Sequence, residues 1–148
     1  MTISRVSQGA CLVLATLLSG CVSHLSPAVF QVPAGRGTMD SVQRALAQQG
    51  TSIARIDPNA GVAETAWEST GQNTDGTIWA TRYIVTVSPQ NPDSRITVML
   101  DLRTCDGLGV NSMSGTLDAT PCRRVEDAIP TMYQNRLNEF ATRLQSAL

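Results

Sequence analysis

The spacing of apolar residues changes along this chain, and each change marks an element. AVFQVP (28–33) is short, apolar and ended by a proline, which predicts a strand followed by the loop AGRG. In TMDSVQRALAQQG, Met39, Val42, Ala45 and Leu46 share one helical face. Thr38 stands where a cap belongs, Asp40 lies at the positive end, and Gly50 falls where a helix stops. The period then drops to two. TSIARID and VAETAWES flank PNAG, so residues 51–69 read as a hairpin turning at Pro58, Asn59 and Gly61. GQNTDG (71–76) reads as a loop. WATRYIVTVS sets Tyr83, Val85 and Val87 on one face, and Arg82, Ile84 and Thr86 on the other. After the turn PQNPD, SRITVMLDLRT opposes Ile96, Val98, Leu100 and Leu102 to Arg95, Thr97, Asp101 and Arg103. One side of this sheet should be buried and the other at least partly wet.

DGLGVNSMSGTLDATP (106–121) has no period and reads as a Gly/Ser-rich loop between two cysteines. Beyond it, Tyr133, Leu137, Phe140, Leu144 and Leu148 recur at steps of three and four, the stripe of an amphipathic helix. Pro130 is expected in its first turn, where a missing N–H costs nothing. The order β-α-β-β-β-β-α predicts an α+β fold. Its expected form is a two-layer α/β sandwich, a mainly antiparallel sheet of four to five strands packed against two helices. Residues 28–148 would form this single domain.

Residues 1–20 follow a different logic. Arg5 gives a short positive region, Ala10 to Leu18 is almost wholly apolar, and Ser19 and Gly20 are small. This is the layout of a secretory signal, too short to remain as a membrane span. Leu18-Ser19-Gly20-Cys21 resembles the lipobox of bacterial lipoproteins. The resemblance implies cleavage before Cys21, diacylation of its thiol, and attachment to the membrane through those acyl chains. Each buried methylene contributes ~0.8 kcal/mol, so two or three chains anchor stably where one is marginal. Residues 21–27 are then expected to be a lipidated tether. Val22 in place of Asp after the cysteine implies the periplasmic face of the outer membrane rather than the inner membrane.

That address decides how the cysteines count. Cys11 leaves with the signal and Cys21 takes lipid, so Cys105 and Cys122 remain in an oxidising compartment, where a disulfide between them is expected. Closing a loop of that length stabilises by about 3 kcal/mol in the chain-entropy model. The formal charge of -1 and the absence of a basic run argue against nucleic acid as a partner. All eleven basic residues are arginines, so no lysine is present for Schiff-base chemistry.

The stretch SVQRALAQQGTSIARIDPNAGVAETAW is similar to lipoproteins of the kind represented by the C subunit of the outer-membrane β-barrel assembly machinery. The similarity covers roughly residues 28 to 103 and lies in the apolar pattern. It implies a helix-grip-like domain and a role in envelope assembly. This chain would hold one such domain rather than two, and it adds a cysteine-clamped loop.

Candidate chemistry is sparse. The one histidine, His24, stands three residues from Cys21 and is poorly placed for a triad or a metal site; no cofactor or metal is expected. GLGVNSMSG lacks the strand-to-helix setting of a phosphate loop. Glu64 and Glu68, four apart on one expected strand, share a face, yet paired acids need a cleft and a solvated face suits them better. Asp101 should point outward and Asp106 should start a turn. Trp67 is expected in the core. Trp79 and Tyr83 are the candidate ligand or partner contacts. The resulting expectation is a non-catalytic envelope lipoprotein acting by protein contact, as an assembly or accessory subunit. The alternative is a small-ligand or glycan-binding module, with a pocket between sheet and final helix lined by Trp79 and Tyr83.

Overall fold

The computed structural model describes residues 21–22, 24–72, 76–106 and 117–148. The signal-like segment, lipobox residues 18–20 and most of the Gly/Ser loop lie outside these. The elements are β1 (Cys21–Val22), β2 (Ala28–Pro33), α1 (Met39–Gln48), β3 (Ile53–Asp57), β4 (Val62–Thr65) and β5 (Glu68–Gln72). There follow β6 (Ile78–Pro89), β7 (Asp93–Cys105), β8 (Arg123–Arg124), β9 (Ile129–Pro130) and α2 (Thr131–Ala147). Among the described residues no helix is long and apolar enough to cross a membrane.

The architecture is α+β, an antiparallel seven-stranded sheet with two helices. Its order is β2-β7-β6-β4-β3, with β5 also on β6 and β8 also on β7, while β1 and β9 form a separate small ladder. The expected four to five strands are therefore too few. VAETAWES does not run as one strand. The Thr65 hydroxyl accepts the Tyr83 N–H at 2.9 Å, and Ala66 N–H turns to the Ser52 carbonyl at 2.8 Å. The ladder on β6 is interrupted there and resumes as β5, where Glu68 faces Thr81. β8 and β9 have two residues each, too few to show a period.

α1 begins and ends where its residues dictate. Thr38 Oγ1 accepts the Ser41 N–H at 3.2 Å, and Gly50 takes φ +69° just beyond the last turn. In the β3–β4 turn, Gly61 at φ +65° lies so close to β6 that an added Cβ would stand 2.6 Å from the Val87 carbonyl oxygen. α2 starts one residue later than expected: Pro130 is its N-cap, with an extended ψ of 134°, and pairs with Cys21.

One face of the sheet and both helices share the main core. Val42 and Leu46 of α1, Val85 of β6, Ile96, Val98 and Leu102 of β7, and Leu137 and Leu144 of α2 are buried in one cluster. Two ring pairs tie β6 to α2. Tyr83 stacks on Phe140 with centroids 3.8 Å apart, and Trp79 stacks on Tyr133 at 5.4 Å. The described part of the expected lipidated tether, at 24–27, is laid onto this core. Leu25 packs against the cluster, Ser26 N–H donates to Gln134 Oε1 at 2.9 Å, and Gln134 Nε2 donates back to the Ser26 carbonyl at 3.0 Å. An apolar residue and a polar one at adjacent positions thus hold the segment against α2.

Candidate functional site

The face of the sheet turned away from the helices carries the densest polar chemistry. Register places Arg82 directly opposite Asp101, with Glu64 and Arg103 on neighbouring strands. Asp101 Oδ2 accepts from Arg82 Nε at 3.2 Å and from Arg103 Nη2 at 3.3 Å, while its Oδ1 accepts from Arg103 Nε at 3.3 Å. Arg82 Nη1 donates to Glu64 Oε2 at 2.6 Å, and Arg55 approaches the other Glu64 oxygen at 3.7 Å. Side-chain exposure is only 6% for Asp101 and 18% for both Arg82 and Glu64. Arg124 Nε also approaches Asp101 Oδ1, at 3.9 Å, so each of these two largely covered carboxylates is met by more than one guanidinium group. A carboxylate whose two oxygens are both engaged by guanidinium N–H groups anchors the strands that carry those groups.

Trp67 and the disulfide arm cover this network. The guanidinium carbons of Arg82 and Arg103 lie 4.6 Å and 5.4 Å from the Trp67 ring centroid. Cys105 and Cys122 are bonded, with Cα atoms 4.9 Å apart, as expected. Arg103 Nη1 donates to the carbonyls of Thr120 and Cys122, so the same side chain that holds Asp101 also holds the returning arm. A second small cluster lies beneath: Ala80, Cys105 and Ala119, with Trp67, Ile78 and Leu117 packed against it. In that arm Asp118 accepts the Thr120 N–H at 2.9 Å, and this hydrogen bond holds its carboxyl below the ordinary value of 3.8.

Several expectations are corrected here. The polar face of the sheet is covered around Asp101, which is oriented outward as its alternation required yet is not wet. Trp67 is half-buried on this outer face rather than in the main core. Glu64 and Glu68 do not form a pair on one strand: Glu64 belongs to β4 and the ion network, whereas Glu68 is exposed on β5, past the interruption.

Trp79 and Tyr83 both face α2, each stacked on a different ring. Tyr83 is closed off by Phe140, and burial, then the charge of Glu68, pushes its phenol above the ordinary 10.0. Trp79 is one wall of a separate cleft of about 400 Å³, with Thr104, Arg123, Arg124, Glu126 and Asp127. Ala128, also in that wall, has φ 52°, a left-handed conformation unusual for a side-chain-bearing residue. At the other end of the sheet, Met39, Pro58, Ala60, Gly61, Val87 and Pro89 line a cleft of about 430 Å³ beside the β6–β7 tip.

The remaining candidates are dispersed. Cys21 starts β1, and His24 borders a crevice with Leu25, Met99 and Val125. Asp106 is exposed beside Cys105. Arg82 and Arg103 stand on the polar faces of their strands with no motif that marks them as site residues. The cross-strand pairing of opposite charges reveals Arg82 only once the register is known. Comparison of the chain with protein-family models and with curated proteins finds no match.

Proposed function

We propose that this chain is a bacterial lipoprotein, held through Cys21 at the periplasmic face of the outer membrane. Its single domain acts by protein contact, as an envelope assembly or accessory subunit, without catalysis. The observation that carries the reading is the Cys105–Cys122 bond, which belongs to an oxidising compartment. It agrees with the independent signal in Leu18-Ser19-Gly20-Cys21. A two-layer, helix-grip-like domain suits the role, because stacked rings on one face and the ion network on the other make a stiff body. The apolar cleft beside the β6–β7 tip offers a place for a partner's side chain.

The test is maturation. Labelled palmitate should enter the unmutated chain, and Cys21→Ser should leave an unlabelled, uncut precursor. The mature chain should also co-purify with a stoichiometric partner from detergent-solubilised outer membranes. Labelling undiminished by the substitution contradicts the anchor, and a mature chain recovered alone contradicts the contact role.

The Trp79 cleft favours a second reading, glycan or small-ligand binding. An aromatic wall, a threonine hydroxyl, two arginines and two acids suit a polar ring. Quenching or enhancement of tryptophan fluorescence on adding envelope oligosaccharides, lost in Trp79→Ala, would support it over the contact role.

A further inference from the structure

We propose that the domain stands directly on the bilayer. Its lipid-facing surface is the end formed by β8, β9 and the first turn of α2. The inference rests on the lipidation of Cys21 proposed above, and it deepens that reading by assigning an orientation and a contact surface.

The position of the anchored residue leads to it. Cys21 pairs with Pro130 and Val22 with Ile129, so the residue that would carry lipid sits in a ladder at the start of α2. Leu25 and Ser26 are fixed to the core and to Gln134. Among the described residues, the chain after Cys21 is held to the domain at 21–22 and again at 25–26. Acyl chains leaving Cys21 must enter the membrane beside Pro130, and that end of the domain must follow them down.

The side chains at this end fit a phospholipid surface. Met132, in the first turn of α2, is 48% exposed, a large apolar group placed two residues after Pro130. Arg123 and Arg124 are exposed on β8, and Glu126 and Asp127 are exposed just before β9. An exposed apolar side chain together with exposed cations and anions within residues 123–132 matches a zwitterionic headgroup layer, whose phosphates and ammonium groups pair with both signs. The opposite end is set by topology. β2 runs from Ala28 opposite Val98 to Pro33 opposite Asp93, so the incoming chain lies toward the Arg103 end of β7, where β8 also pairs. The β6–β7 tip lies roughly 30 Å away at about 3.3 Å per residue, which points the apolar cleft into the periplasm.

The experiment uses the mature full chain, processed in bacteria and reconstituted into vesicles of phosphatidylethanolamine with a minor fraction of phosphatidylglycerol. With Cys105 and Cys122 bonded and Cys21 acylated, a cysteine introduced at Met132→Cys or Gln90→Cys is the accessible thiol for a spin label. The label at 132 should collide severalfold less with an aqueous nickel chelate, and more with dissolved oxygen, than the label at 90. Equal nickel accessibility at both sites would overturn the orientation and restore a free tether, and protection at 90 alone would invert it. The mass of the N-terminal peptide separates the two failures: a peptide without acyl chains overturns the anchor itself and this inference with it.

Discussion

The two faces of this sheet are built from alternate residues of the same strands, yet they are dried by opposite means. On the helical side, Val85, Val98 and Leu102 meet Leu137 and Leu144, and apolar burial, with two stacked ring pairs, dominates the packing. On the other side, Glu64, Arg82, Asp101 and Arg103 neutralise one another beneath Trp67 and a disulfide-closed arm. The first face tolerates loss in proportion to the volume removed. The second should fail abruptly, because removing one partner leaves the others charged and out of water.

Substitutions can break that contrast. Asp101→Ala is expected to cost about 3–5 kcal/mol, measured by urea unfolding, since two guanidinium groups lose their shared acceptor. If the outer face is wet, the loss should stay within ~0.5 kcal/mol. Leu137→Ala on the helical face should cost about 2–5 kcal/mol, while exposed Asn138→Ala on the same helix should scarcely register. Replacing Cys105 and Cys122 together by serine should cost about 3 kcal/mol, and it should also loosen the arm that Arg103 holds. The smallest effect is alkaline. Burial raises the folded pKa of Tyr83 above its unfolded 10.0, so its contribution is intact below pH 10 and is lost as pH rises through the folded value. Stability followed by thermal melting across that range should fall less steeply in Tyr83→Phe.

Both helices and the inward face of the sheet are legible in the sequence. Their signals are periodic over many residues, and Met39, Val42, Ala45 and Leu46, like Tyr133, Leu137, Phe140 and Leu144, are buried as their spacing requires. β5 was not legible, because ESTGQ has no apolar alternation and because Thr65 interrupts the ladder with its own hydroxyl. Neither were β8 and β9, two residues each. The dry outer face was hidden for a different reason. Alternation assigns Asp101 to a side of the sheet but does not say what covers that side. The cover comes from Trp67 and the 117–122 arm, brought there by pairing and by the disulfide. The hydrogen bond from Ser26 to Gln134 is hidden for the same reason, since the two residues are 108 apart in the chain.

The most direct test of the contrast between faces is a double-mutant cycle on the cross-strand pair. Arg82→Met, Asp101→Leu and the double variant should be unfolded in urea beside the unmutated chain. A partly buried, mutually dependent pair predicts coupling of about 1.5–3 kcal/mol, with the double variant far less destabilised than the sum of the two singles. Coupling below ~0.5 kcal/mol, with additive single effects, would mean that the pair is an ordinary solvated contact and that the outer face is not held by its charges.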